Sequence, residues 1–281
     1  MSGKKLTKNK ETPLQVGILM LMPSAVVERT ERQFKHFLEN APFSVKPIFF
    51  YFDKHKSNSS QNYFDKNYEK ITDIKKHGLD GLIITGANLE DFSFKEVKYW
   101  KEFTSFLDWT QKNVSSTVYS CWATHATLKY FYNIEPVMNK EKQFGIFTHQ
   151  VHLESGSPFI NGMDEQIFVP HSRWRGEDKK LITACKDLQI LIESEEVGPH
   201  LIVGRNGREI YIQGHPEYDR DDIGGEYFRD KNKGININVP LHYFPDNDDT
   251  KFPAKTWGAN GQIFYNNWVS WLHKKTNKKL F

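Results

Sequence analysis

The chain has 281 residues, 38% of them apolar, and a formal net charge of +3. That apolar content supports one large core or two modest ones, and so small a charge excludes strong nucleic-acid attraction. Two cysteines, Cys121 and Cys185, exclude a disulfide framework, and neither a ~18-residue apolar run nor a signal-peptide pattern is present. A cytoplasmic protein without membrane or nucleic-acid partners is the expectation.

Residues 1–13 are polar and lysine-bearing and read as a flexible N-terminus; 275–281 read as a flexible basic tail. One domain is expected over 14–274. Residues 15–21, QVGILML, form a continuous apolar run suited to a buried parallel strand, which Met22-Pro23-Ser24 ends. A helix over 27–38 turns Phe34, Phe37 and Leu38 inward. A strand over 44–52, a Ser/Asn/Lys-rich loop over 53–64 and a helix over 68–76 lead to a third strand, 80–84. The loop Thr85-Gly86-Ala87-Asn88-Leu89-Glu90 follows, and small residues at a strand end can aim backbone N–H groups at an oxyanion. The helix over 95–112 carries an aromatic stripe that reads as core. Alternation of strand and helix this far predicts a doubly wound, mostly parallel α/β sheet.

Residues 115–132, SSTVYSCWATHATLKYFY, read as a strand (117–120), a sharp turn at Cys121 and a helix from Trp122. A cysteine at such an elbow is held out of the sheet, and the helix N-terminus behind it favours the thiolate, the nucleophilic form. An isolated cysteine is otherwise a small buried apolar residue. The partner base comes late, in EIYIQGHPEYD over 209–219. A strand over 210–212 ends at Gly214-His215-Pro216-Glu217. In an open parallel sheet, ligands bind at the carboxyl ends of strands, so Cys121 and His215 can meet there. Glu217 is placed to fix the imidazole tautomer.

Between these two segments the pattern changes to strands over 142–153, 166–169, 188–193 and 200–203, with a polar turn at 170–173. Arg205-Asn206-Gly207-Arg208 reads as a hairpin turn. A helix over 219–233, an irregular stretch over 238–258 and a helix over 262–274 complete the chain. His149, His152, His171 and His200 are scattered among the strands, so no metal site is expected. The fold expected is therefore α/β with a cysteine nucleophile elbow, additional strands and C-terminal helices.

Taken together, LMP at 21–23, DGLIITGANLE at 80–90, YW at 99–100, SCWA at 120–123, PHSR at 170–173, GHPEYD at 214–219 and YFPDND at 243–248 carry a family resemblance. They resemble the homoserine O-acyltransferases of the class I glutamine-amidotransferase-like superfamily. The resemblance implies acyl transfer from an acyl-CoA to homoserine, for methionine synthesis. It implies Cys121 as the acyl-carrying nucleophile, His215 as the base and Glu217 as its orienting carboxylate. Backbone N–H groups of Trp122 and Ala87 would form the oxyanion hole. Lys142 falls on a substrate-contacting lysine, Ser172 on an acceptor-pocket residue and Arg229 on the arginine that holds the amino acid's carboxylate; guanidinium pairs with carboxylate in two-pronged fashion. Without the resemblance, Lys142 and Arg229 read as solvated charges.

Glu90 falls where the family has glycine with succinyl transfer and glutamate with acetyl transfer. A carboxylate there repels the succinyl carboxylate, so acetyl-CoA is the expected donor, as a substrate, with no cofactor or metal. The expected acceptor is L-homoserine. L-Serine is the alternative, because the family's Thr-Trp-Arg-Ser-His becomes Thr256-Trp257-Gly258-Ala259-Asn260 here. A Cys-His-Glu hydrolase or glutaminase on the same fold is the more distant alternative. A homodimer is left open.

Overall fold

The computed structural model describes residues 12–52, 61–89 and 93–277. Glu90, most of the expected flexible N-terminus and the last four residues of the basic tail lie outside the described residues. The N-terminal half alternates: β1 Leu14–Leu19, α1 Val27–Glu39, β2 Val45–Tyr51, α2 Gln61–Asn67, β3 Glu69–Lys70, α3 Ile71–His77, β4 Gly81–Ile84, α4 Trp100–Asn113, β5 Ser116–Ser120 and α5 Trp122–Tyr132. Then follow β6 Val137–Val151, β7 Gln166–Gly176, α6 Lys179–Ala184, β8 Leu188–Ser194, β9 Gly198–Gly204, β10 Glu209–Ile212, α7 Asp222–Asn232 and α8 Gly258–Asn277.

Strand alternation sends successive side chains to opposite faces, and here both faces are covered. Leu19, Leu82, Ile84 and Tyr119 join Phe103, Phe106 and Leu107 of α4 and Ala123, Ala126 and Leu128 of α5 in one core. Val16, Ile18, Ile83 and Val118 join Phe34 and Phe37 of α1 and Phe264, Trp268 and Leu272 of α8 in the other. This is why β1 and β4 read as near-continuous apolar runs rather than alternating ones. Burying such a side chain contributes about 1.5–3 kcal/mol, so the sheet centre is the rigid part on which the loops at its carboxyl ends stand.

Ten strands form one sheet, in the order β3-β2-β1-β4-β5-β10-β9-β8-β6-β7. From β3 to β10 neighbours run parallel; from β10 to β7 they run antiparallel. The doubly wound half and the hairpin at 205–208 are as expected. Four local expectations fail. The expected helix over 68–76 is split into β3 and α3, and part of the expected loop over 53–64 belongs to α2. The short α6 was not foreseen. The polar segment 170–173 is not a turn: it lies inside β7, with Ile146 opposite Pro170 and Phe144 opposite Ser172. Cross-strand pairing overrides the turn propensity there, and the sheet edge tolerates the proline because no ladder donor is needed on its open side. Among the described residues, no helix is long and apolar enough to cross a membrane.

Candidate active site

β5 stops at Ser120, and Cys121 turns the chain with φ 50° and ψ −111° before α5 begins. A non-glycine residue held there costs on the order of 1–3 kcal/mol and needs support from its surroundings. That support is visible. The Cys121 N–H donates to the Ile212 carbonyl at 2.7 Å, and the Cys121 carbonyl accepts from Thr124 N–H at 2.9 Å. The Thr124 hydroxyl donates to the Tyr119 carbonyl at 2.8 Å. Gly86 lets the 85–89 loop approach: a Cβ there would sit 3.3 Å from Cys121 Cβ. The first N–H groups of α5, beginning with Trp122, have no acceptor within the helix.

Parallel register brings His215 to Cys121. β10 lies beside β5 with Ile212 opposite Ser120, so the 213–217 turn leaves the sheet next to Cys121. His215 Nδ1 donates to Glu217 Oε1 at 2.7 Å. That bond leaves Nε2 free of Glu217, and Cys121 lines the same cavity as His215. Cys121, His215 and Glu217 are each only 8% exposed. Burial alone would push the imidazolium pKa down; the charges of Glu217 and Cys121 prevail and hold it well above the ordinary histidine value. The Tyr218 ring stacks on His215, centroids 4.2 Å apart.

The triad opens onto a cavity of about 240 Å³, lined among others by Thr85, Gly86, Ala87, Lys142, Ser172 and Arg229. Part of its lining is a charged group on α7, β6 and β7. Glu226 accepts from the Tyr218 hydroxyl at 2.7 Å and from the Ser172 hydroxyl at 2.5 Å. Lys142 Nζ lies 3.6 Å from Glu226 and 3.8 Å from Asp230. Arg229 Nε donates to Asp230 at 2.7 Å. Lys142, at 11% side-chain exposure, is not a solvated charge, whereas Arg229, at 48%, stands at the rim.

All the expected site residues that the structure describes, except Trp122, line this one cavity. The Trp122 side chain instead packs in the core against Phe94, Tyr99 and Phe103. Sequence reasoning missed Tyr218, Glu226 and Asp230. The signal was available: Glu226, Arg229 and Asp230 stand three and four residues apart, on one helix face, directly after the GHPEYD segment. Among the described residues, no cluster of three or more His, Cys, Asp or Glu side chains is arranged to hold a metal ion.

Comparison with known proteins agrees with this picture. A family model, homoserine O-succinyltransferase, matches residues 1–278. A homoserine O-succinyltransferase from Pseudoalteromonas translucida is 41% identical over 94% of this chain and 83% of its own length. A homoserine O-acetyltransferase from Petrotoga mobilis is 39% identical over 96% of this chain and 87% of its own. A glutamine amidotransferase from Thermotoga maritima superposes with a TM-score of 0.58 at 10% identity, over 93% of this chain and 98% of that one; at that identity the likeness is one of fold. The chain belongs to the homoserine O-succinyltransferase family, a family of homoserine O-acyltransferases built here on a glutamine-amidotransferase-like fold.

Proposed function

We propose that this protein is an acetyl-CoA-dependent homoserine O-acetyltransferase that works through an acetyl-Cys121 thioester. The observation that carries the proposal is the buried Cys121–His215–Glu217 constellation, lining one cavity together with Lys142, Ser172 and Arg229.

His215 takes the proton of the Cys121 thiol, giving a thiolate beside an imidazolium. The thiolate attacks the acetyl carbonyl carbon of acetyl-CoA, and the oxyanion is received by the N–H groups of Trp122 and Ala87. The C–S bond to CoA breaks, and the CoA sulfur takes the proton of His215. Neutral His215 then removes the proton of the homoserine hydroxyl as its oxygen attacks the acetyl-cysteine. The Cys121 thiolate leaves, O-acetylhomoserine departs, and the ion pair is restored. Glu217 holds the tautomer and the charge of His215 throughout. Arg229 and Lys142 offer cationic partners to the acceptor's carboxylate, and Glu226 an anionic partner to its ammonium.

Acetyl-CoA is favoured by Glu90 in the sequence. Homoserine is favoured over serine because Gly258, Ala259 and Asn260 open α8 and are not among the residues lining the cavity. The departure there from the family's pattern thus leaves the acceptor walls in place. Initial rates with acetyl-CoA and succinyl-CoA, each against homoserine and serine, test the reading. Mass analysis after acetyl-CoA alone should find one acetyl group on the Cys121 peptide and none on Cys185. An active preparation with unmodified Cys121, or a preference for succinyl-CoA or serine, refutes the corresponding part.

A further inference from the structure

The antiparallel half of the sheet supplies buried side chains that the chemistry above does not use. His149 and His171 are 0% exposed, Arg173 1% and His200 5%. None of them lines the cavity. The histidines, far apart in sequence, come together in space. The His149 and His171 rings stack with centroids 5.0 Å apart, and His200 lies 5.3 Å from the first and 5.9 Å from the second.

Their hydrogen bonds run in one direction. Arg173 Nε is 3.1 Å from His171 Nδ1. A guanidinium only donates, so His171 Nδ1 accepts and its proton sits on Nε2. His171 Nε2 is 3.1 Å from His149 Nε2, which must therefore accept. The His149 proton then sits on Nδ1 and is donated to the Phe147 carbonyl at 3.0 Å. The tautomers follow from the network, and the chain closes only if both rings are neutral. His200 Nδ1 accepts from the backbone N–H of Gly214 at 3.0 Å, so it too must keep that nitrogen unprotonated. Burial lowers the pKa of all three histidines, with Arg173 adding to it, that of His149 to about 4.

What this group touches is the turn that carries the base. Gly214 immediately precedes His215, and a Cβ on it would lie 2.3 Å from Val169 Cγ1 and 2.8 Å from His171 Nε2. The next N–H, that of His215, donates to the Pro170 carbonyl at 2.8 Å. Two successive peptide N–H groups of the base turn are therefore held by β9 and β7.

We propose that His200, backed by the Arg173–His171–His149 chain, is a positioning residue: as a neutral acceptor it fixes the Gly214 peptide and so sets the His215 ring against Cys121. This rests on the reading of His215 as the base. The charged and titratable groups facing the three rings are one another, Arg173 and His215, while Glu177 and Cys121 face Arg173 in turn. A proton on His200 would remove the acceptor and set a second positive charge beside the His215 imidazolium. Neutrality is thus part of the device.

The test compares His200→Asn with His200→Gln. An Asn Oδ1 reaches roughly where Nδ1 stands; a Gln Oε1 reaches where Nε2 stands. The Asn variant should keep kcat within about 3-fold of wild type. The Gln variant should lose about 10- to 100-fold, the scale of a base displaced by about an ångström. KM for both substrates should stay within about 2-fold in each, and the pH limb assigned to His215 should move only in the Gln variant. Equal kcat in the two variants overturns the proposal. Imidazole ¹⁵N spectra of the unmodified protein test it without any variant: His200 should show no titration between pH 5 and 8, and a titrating His200 overturns it. His215→Ala, assayed alongside, separates the two levels. If that variant stays active, the reading of His215 fails; if it is inactive while the Asn and Gln variants are alike, only the positioning role fails.

Discussion

Replacing Glu217 by Gln should lower kcat/KM about a hundredfold and leave the fold intact. Glu217 Oε1 accepts from His215 Nδ1 at 2.7 Å, and both side chains are buried. Gln keeps an oxygen acceptor of the same shape, so what is lost is mainly charge. Two unit charges about 4 Å apart interact by about 4 kcal/mol at an effective dielectric near 20. Relaxation and the retained hydrogen bond reduce this to about 3 kcal/mol, or about 10²-fold, at ~1.4 kcal/mol per decade. The sign is also determined. Glu217 helps hold His215 protonated well above its ordinary range, so Glu217→Gln moves the His215 limb of the pH–rate profile to lower pH. The same charge pair stabilises the fold. Because the native pKa is raised, that stabilisation is full below the unfolded value of ~6.5 and fades as pH rises through the native one. The gap in unfolding free energy between wild type and Glu217→Gln should therefore shrink at alkaline pH. The assays are kcat/KM from pH 5 to 10 and denaturant unfolding at three pH values. A variant within twofold of wild type, with an unmoved limb, refutes the electrostatic role of Glu217.

Three further predictions concern other parts of the chain. Glu90→Gly should narrow the kcat/KM ratio between acetyl-CoA and succinyl-CoA, measured with homoserine fixed; an unmoved ratio would show that Glu90 does not select the donor. Arg229→Lys should raise the KM for homoserine about tenfold and leave the donor KM within twofold, because an ammonium cannot make the two-pronged carboxylate contact; equal effects on both substrates would place Arg229 elsewhere. His149 is depressed from 6.5 to about 4 in the fold, so stability that is whole above pH ~6.5 should fall by up to about 3 kcal/mol as pH drops to about 4. His149→Gln should flatten that acid slope, as read by thermal unfolding from pH 4 to 7.

The doubly wound half was legible because its signal is dense. β1 and β4 are buried on both faces, so each reads as an apolar run at the right length. The helices between them carry their cores at helical spacing. The failures lie where the period is short or shared. β3 has two residues, Glu69 and Lys70, too few to show any alternation, and it exists because Phe50 and Tyr51 of β2 offer it a register. The segment 170–173 has turn composition, yet β6 supplies partners on one side of it. Pairing across residues some twenty-five apart is not written in local propensity.

Site residues divide along the same line. Cys121, His215 and Glu217 were legible because each sits at the end of a strand that the sequence announces, and the fold rule for parallel sheets says that such ends converge. Lys142 and Arg229 needed the family resemblance, since a lone Lys or Arg has no local mark of burial. Their actual mark is mutual: Lys142 is kept at 11% side-chain exposure by Glu226 and Asp230, two carboxylates from a helix nearly ninety residues later. The buried histidines make the same point more strongly. Read singly, His149, His171 and His200 were scattered residues; the sheet order β9-β8-β6-β7 folds their strands onto one another. The parallel half thus carries Cys121 and His215, and the antiparallel half carries groups that hydrogen-bond the turn bearing His215. A change in β6, β7 or β9 can therefore alter the reaction without touching substrate, whereas a change in α2 or β3, at the opposite sheet edge, should alter stability alone.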